Sequence, residues 1–157
     1  MTEKKIILIV DDNKTNIDIL LTLLSKEYDV LVSLSGASAL EIVQNNKIDL
    51  ILLDIMMPEM DGYEVCSELK SKRETKDIPV IFTTAKTDED SIEKAYAVGG
   101  IDYVTKPIKP RELLARVRTQ MKLKELIEYL EHVASFDEIT GVYDKKKFFS
   151  LMTPIES

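Results

Sequence analysis

The sequence has 157 residues, of which 45% are hydrophobic and 31% are charged, a balance typical of one well-buried globular domain with a short addition. Its formal net charge of −7 disfavours direct nucleic-acid binding, which relies on Lys and Arg to neutralise phosphates. The single cysteine, Cys66, excludes an internal disulfide. The apolar run before Asp11 is too short for a signal peptide or a membrane span, so we expect a cytoplasmic protein that does not bind membranes.

Short apolar runs alternate with amphipathic stretches along most of the chain. The amphipathic stretches place apolar residues three and four positions apart, as Ile17, Leu20 and Leu24 do, which predicts helices. The apolar runs are rich in β-branched residues and are typical of strands buried on both faces. They are Ile6–Val10, Val30–Leu34, Leu50–Leu53, Val80–Thr83 and Ile101–Val104. The alternation predicts a three-layer α/β domain with a five-stranded parallel sheet.

Sequence signals mark both ends of the fourth predicted helix, which we place at residues 88–98. Thr87 and Asp90 have the spacing of a capping box at its start. The pair Gly99-Gly100 is a break at its end.

The fifth helix is predicted to outlast its domain. It begins near Pro110, a residue favoured in the first turn of a helix, and runs without Gly or Pro to about Ala134. We expect a domain at residues 1–122 and a linker helix at residues 123–135. Two arrangements of the linker stay open, a two-stranded coiled coil and a helix folded back on its own chain. The apolar positions of its second half are Leu123, Leu126, Ile127, Leu130 and Val133.

Acidic residues follow two of the predicted strands at their carboxyl ends. Asp11 and Asp12 come after the first strand, and Asp54 comes after the third. In an open parallel sheet, ligands bind in the crevice beyond these strand ends. Three carboxylates in one cleft repel each other, and a divalent cation resolves that repulsion. Oxygen ligands with remaining waters favour Mg²⁺.

Two further groups converge on the same edge. Thr84 follows the fourth strand and Lys106 follows the fifth. A lysine beside acids is a point charge suited to a phosphoryl group, and a threonine hydroxyl can donate to a phosphoryl oxygen. Each residue alone has an ordinary interpretation, such as a helix cap or a turn. Together with Asp54 as a carboxylate nucleophile they favour phosphoryl transfer.

These residues resemble the response-regulator receiver family. The matching stretches are ILIVDDN at 7–13, LILLDIMMPEMDGYE at 50–64, PVIFTTA at 79–85 and GGIDYVTKP at 99–107. The resemblance covers roughly residues 4–122 and implies a flavodoxin-like strand order of 2-1-3-4-5.

The resemblance also implies roles for individual residues around a bound Mg²⁺. Asp54 matches the phosphoacceptor, and Lys106 matches the lysine that contacts the phosphoryl group, with a bond to the following proline that is often cis. Asp11 and Asp12 match the acidic pair that holds Mg²⁺, and Asp54 joins them. Met56 matches the position whose backbone carbonyl completes the metal site.

Thr84 and Tyr103 match the two switch residues of the family. In that family the threonine hydroxyl moves toward the phosphoryl group on phosphorylation, and the aromatic ring turns inward behind it. The implied partners are a histidine kinase or phosphotransfer protein as phosphodonor, a C-terminal output domain, and a second copy in a homodimer. The chain is then no enzyme beyond its own phosphorylation and dephosphorylation.

Two other functions remain as alternatives. One is a receiver-like binding module that acts without phosphorylation, which would have the same sequence. The other is an α/β enzyme of another class, either a flavodoxin-like protein or a phosphatase with an Asp nucleophile. The first would need a phosphate-binding loop after strand one, where this chain has acids. The second usually has D-x-D there, whereas Asp11 and Asp12 are adjacent.

The end of the chain, residues 136–157, does not fit a receiver. The stretch ASFDEITGVYDKKKFFSL at 134–151 resembles the opening of a GGDEF-type diguanylate cyclase domain. The fitting positions are Asp137, Thr140, Gly141, Tyr143 and Phe148 or Phe149. An amphipathic tail helix is the alternative. The nucleotide-binding residues of that family lie further downstream, so we expect either a fragment of a longer regulator or a truncated natural product, and no GTP cyclisation by these residues alone.

Overall fold

The computed structural model describes the backbone of residues 4–140 and the side chains of residues 4–134. Five strands alternate with five helices along this part of the chain. The strands are β1 (Ile6–Val10), β2 (Asp29–Ser33), β3 (Leu50–Asp54), β4 (Val80–Thr84) and β5 (Asp102–Thr105). The helices are α1 (Lys14–Leu24), α2 (Gly36–Asn45), α3 (Gly62–Ser71), α4 (Glu89–Ala97) and α5 (Pro110–Thr140).

The five strands form one parallel sheet in the order β2-β1-β3-β4-β5. Every residue of β3 and β4 is buried, and so are four of the five residues of β1. This burial on both faces explains why the three central strands read as continuous apolar runs. The predicted fold class and strand order are confirmed.

Helices cover the sheet on both faces. Residues on one face of the strands, such as Leu8, Leu53 and Phe82, share a core cluster with the buried residues of α2, α3 and α4. The buried residues of α1 and α5 lie outside that cluster, and alternation along the strands turns residues such as Ile9 and Leu52 to the opposite face. The predicted three layers are therefore present.

The start of α4 differs from the prediction. The N-cap is Asp88, whose side chain accepts hydrogen bonds from both the backbone N–H and the hydroxyl of Ser91. The capping box predicted from Thr87 and Asp90 is therefore wrong. The carboxylate of Asp88, one residue after Thr87, reaches two donors of Ser91, so Asp88 caps the helix in place of Thr87. A capping box exists instead at α3, between Asp61 and Glu64.

The end of α4 agrees with the prediction of a glycine break. Gly99 has a φ of +108°, a conformation that residues with a Cβ rarely adopt. Gly100 is needed for a different reason, because a Cβ there would lie 2.5 Å from the ring of Phe82. The aromatic ring on β4 and the glycine before β5 thus fit each other.

Helix α5 is 31 residues long and continues past Ala134, the predicted end, to Thr140. The chain divides into two compact units, residues 1–118 and 119–157. In the second unit, Leu123, Leu126, Ile127 and Tyr129 are exposed. Among the described residues, no helix is both long enough and apolar enough to cross a membrane.

Candidate functional site

The acidic cluster lies at the carboxyl edge of the sheet, between two neighbouring strands. Val10 pairs with Leu53 across β1 and β3, so the next residue on each strand, Asp11 and Asp54, reaches the same edge. Each of Asp11, Asp12 and Asp54 offers a carboxylate oxygen within 4.8 Å of the others. The three acids singled out in the sequence are therefore brought together.

The environment of the three carboxylates is unequal. Asp11 and Asp54 are 1% and 3% exposed, whereas Asp12 is exposed to solvent. Asp11 is fixed by a hydrogen bond that its Oδ1 accepts from the backbone N–H of Asn13, the N-cap of α1. The site is thus a cleft with a buried floor and one acid at its rim.

Lys106 lies on this floor. Its ammonium donates to Asp54 Oδ1 at 2.9 Å and to Asp11 Oδ2 at 3.2 Å. Its backbone N–H donates to the carbonyl of Thr84, and its peptide bond to Pro107 is cis, as the sequence resemblance implies. The lysine is therefore held at both its backbone and its ammonium, facing the two buried acids.

Burial raises the pKa of Asp54 to about 6, because desolvation disfavours the carboxylate and the charge of Asp11 adds to the effect. The hydrogen bond from Lys106, its positive charge and a backbone hydrogen bond from Met56 act in the opposite direction. Burial alone would lower the pKa of Lys106, but hydrogen bonds and attraction from Asp54 and Asp11 outweigh it, and that pKa is raised. The lysine stays charged at neutral pH.

The donor set of the cleft fits a hard divalent cation. All three ligand candidates are carboxylates, and the rim position of Asp12 leaves one side open to water. The excess negative charge at Asp11 and Asp54 is only partly balanced by one lysine. A divalent cation held by the three acids would remove the remaining repulsion.

Thr84 ends β4 beside this cleft and is 2% exposed. Its hydroxyl accepts a hydrogen bond from the backbone N–H of Lys86 at 2.8 Å and is 3.2 Å from the carbonyl oxygen of the same residue. The hydroxyl is thus tied to the loop between β4 and α4. The sequence did not predict this turn. Its only sequence signal is a threonine two positions before Lys86, and that spacing is common in loops.

Tyr103, the second residue assigned to the switch, lies on the edge strand β5. It is partly buried against the core cluster, and its ring meets the ring of Tyr96 on α4 edge-on, with centroids 6.2 Å apart. The structure thus places Thr84 and Tyr103 on neighbouring strands. Thr84 is hydrogen-bonded to the loop before α4, and Tyr103 contacts α4 itself. Their switch roles remain predictions.

The loop after β3 contains a strained residue that the sequence did not reveal. Glu59 has a φ of +67°, and the N–H of Met60 donates to the carbonyl of Pro58 on either side of it, which makes a tight γ-turn. Met56 in the same loop is 55% exposed. The assignment of its carbonyl to the metal site remains a prediction.

Most of the segment that resembles a GGDEF domain, including Gly141, Tyr143, Phe148 and Phe149, lies outside the described residues. Residues 136–140 continue helix α5. The predicted domain boundaries and the output assignment therefore remain predictions.

Comparisons with known proteins point to one family. The family model described as "Response regulator receiver domain" matches residues 7–118. A probable cyclic di-GMP phosphodiesterase of Vibrio cholerae is 43% identical over 118 residues, which are 75% of this chain and 27% of that protein. The transcriptional regulatory protein YvrH of Bacillus subtilis is 42% identical over 122 residues, which are 76% of this chain and 50% of that protein. The chain thus spans half or less of the length of these two relatives.

A solved structure agrees with the sequence matches. A putative response regulator from Chloroflexus aurantiacus superimposes with a TM-score of 0.73 at 31% identity, over 76% of this chain and 99% of that one. The matched residues 7–118 contain all of the sheet except Ile6, together with the acidic cleft and Lys106. This chain therefore belongs to the response regulator receiver domain family.

Proposed function

We propose that this chain receives a phosphoryl group on Asp54 and passes the signal to a C-terminal output. The observation that carries the proposal is the position of the Lys106 ammonium, which bridges the buried Asp54 and Asp11 beside a third acid. That arrangement combines a carboxylate nucleophile with a fixed cation for the oxygens of the incoming group. The family membership makes a histidine kinase or phosphotransfer protein the expected phosphodonor.

In the proposed step, a carboxylate oxygen of Asp54 forms a new bond to phosphorus. The P–N bond of a phosphohistidine donor breaks, and its electron pair stays on the imidazole nitrogen. Lys106 loses its contact to the attacking oxygen and is placed to donate to a phosphoryl oxygen instead. The carboxylates of Asp11, Asp12 and Asp54 would hold Mg²⁺. When bound, this ion would neutralise the negative charge of the phosphoryl oxygens.

The raised pKa of Asp54 is consistent with this role. A carboxylate that is poorly solvated and crowded by another acid is a higher-energy ground state than one in water. The hydrogen bond and charge of Lys106 limit the rise in pKa to about 6, so Asp54 is mostly ionised and nucleophilic at neutral pH. Burial of the ionised Asp54 therefore lowers the free energy of unfolding.

The direct test is intact mass after incubation with acetyl phosphate. We expect the wild type to gain about 80 Da, the mass of a phosphoryl group, and to need Mg²⁺ for it. Asp54→Asn should show no gain, because the amide is not a nucleophile. Asp18→Asn, a change at an exposed aspartate of α1, is the matched control and should gain the same mass as the wild type.

Two results would contradict the proposal. One is an equal mass gain in Asp54→Asn, which would put the acceptor elsewhere. The other is no gain in the wild type together with no binding of beryllofluoride, a phosphoryl mimic. That second result would favour the phosphorylation-independent binding module.

We also propose a diguanylate cyclase as the output, with residues 1–122 as the receiver, 123–135 as a linker helix and 136–157 as the opening of the output domain. The support is the sequence pattern at 134–151. By their names, relatives carry different activities, a cyclic di-GMP phosphodiesterase and a transcriptional regulator among them. Reading the gene downstream of codon 157 tests the assignment. A continuing frame with the GGDEF loop is expected, and a frame encoding another domain would overturn it.

A further inference from the structure

Helix α4 is weakly anchored in the hydrophobic core. Ala95 is the one buried residue of this nine-residue helix, whereas α3 next to it buries Gly62, Val65, Cys66 and Leu69. With so little apolar burial, the position of α4 depends on a few specific contacts at its surface.

Tyr63 of α3 supplies the contacts at the start of α4. Its hydroxyl donates to the backbone carbonyl of Ser91 at 3.0 Å, and the ammonium of Lys94 lies 4.6 Å from the centroid of its ring. The same ring packs against Phe82 of β4 at 5.8 Å between centroids. Tyr63 thus joins the first turns of α4 to α3 and to the strand that ends in Thr84.

The loop between β4 and α4 connects this tether to the acidic cleft. Thr84 Oγ1 is hydrogen-bonded to the backbone of Lys86, and Asp88, the N-cap of α4, lies two residues later. Thr83 pairs with Asp54 across the sheet, so Thr84 ends β4 beside the acceptor. A phosphoryl group on Asp54 would bring charged acceptor oxygens to this hydroxyl, and these are stronger acceptors than the carbonyl of Lys86.

A hydroxyl that donates its one proton to a phosphoryl oxygen gives up its bond to the carbonyl of Lys86. Loss of that bond frees the loop 85–87 to rearrange, and this loop is directly joined to the turn of α4 that Tyr63 holds. A contact that exists only in the unphosphorylated arrangement lowers the apparent affinity for any ligand of the other arrangement.

We infer that Tyr63 is a positioning residue that holds the start of α4 in its unphosphorylated place and so weakens the binding of phosphoryl groups at Asp54. The inference rests on the proposed function of Asp54. It predicts an unusual direction, because removing a stabilising hydrogen bond should make the site bind its ligand more tightly. A tyrosine with a purely structural role would affect stability and leave that affinity unchanged.

The test is calorimetric titration of the full 157-residue chain with beryllofluoride in Mg²⁺, with thermal melts of the same proteins. Tyr63→Phe removes the hydroxyl and keeps the ring on Phe82. We expect its dissociation constant to fall by about 3- to 10-fold, the range that the loss of one ordinary hydrogen bond gives, while its melting temperature falls slightly. Lys94→Met should shift the affinity in the same direction by less.

Tyr129→Phe is the matched control, since it removes the hydroxyl of an exposed tyrosine on α5, and its affinity should equal that of the wild type. An unchanged or weaker affinity of Tyr63→Phe, with normal binding by the wild type, overturns the inference and leaves the proposed function standing. Absence of binding by the wild type overturns the proposed function and this inference with it.

Discussion

Replacing Lys106 with methionine is expected to lower the free energy of unfolding by about 3 kcal/mol at pH 7. Lys106 makes ion pairs with Asp11 and Asp54, whose side chains are 1% and 4% exposed. Methionine preserves much of the volume but leaves two neighbouring carboxylates without their cation. Urea denaturation in EDTA, followed by circular dichroism, measures the loss.

The size of this loss should depend on pH and on Mg²⁺. Below the raised pKa of Asp54 the carboxyl is protonated, so the missing cation matters less and the difference from the wild type should shrink. Mg²⁺ should restore part of the stability by binding the same acids. Lys109→Met, at an exposed lysine of the following loop, is the control. A loss no larger than that of the control would show that the bridge contributes nothing to folding.

Asp54→Asn is expected to have the opposite effect and to raise the free energy of unfolding by about 2–3 kcal/mol above pH 7, since one pKa unit corresponds to about 1.4 kcal/mol. The pKa of Asp54 is raised from 3.8 to about 6 on folding. A carboxyl with a raised folded pKa destabilises the protein where it must ionise, above pH 6. The penalty declines as pH falls and disappears below the unfolded pKa. Asparagine removes it and can still accept from Lys106.

The measurement is the difference in unfolding free energy between Asp54→Asn and the wild type from pH 4 to pH 8, without divalent cations. The difference should grow as pH rises through the interval between the two pKa values and level off above 6. Asp18→Asn should show no such trend, because Asp18 is exposed. A difference independent of pH would mean that the carboxyl is solvated like an ordinary surface acid.

The sequence predicted the sheet well because its central strands are buried on both faces. Such strands leave continuous apolar runs, and the residues that follow them must meet at one edge. Asp11, Asp54 and Lys106 could therefore be placed together without any contact information. The sequence marked Gly100 as part of a helix break. Only the packing shows why a glycine is needed at this position, which is to make room for the ring of Phe82.

The features that the sequence did not reveal depend on local choices between similar residues. Thr87 and Asp88 can both cap a helix, and only the backbone path decides that Asp88 does so. Glu59 gives no sign of its positive φ. The hydrogen bond from Tyr63 to the carbonyl of Ser91 joins two helices and depends on the side-chain rotamer of Tyr63. The hydrophobic pattern of the sequence carries no information about that rotamer.

The sheet separates the proposed phosphorylation site from the residues that are proposed to transmit its state. Asp11 and Asp54 extend from β1 and β3, which lie inside the sheet, whereas Tyr103 lies on β5 at its edge, beside the lightly anchored α4. Substitutions at the edge disturb few buried neighbours, while those on the central strands disturb many. The edge can therefore tolerate more changes of sequence than the acidic cleft, without loss of the buried packing that holds the three acids in place.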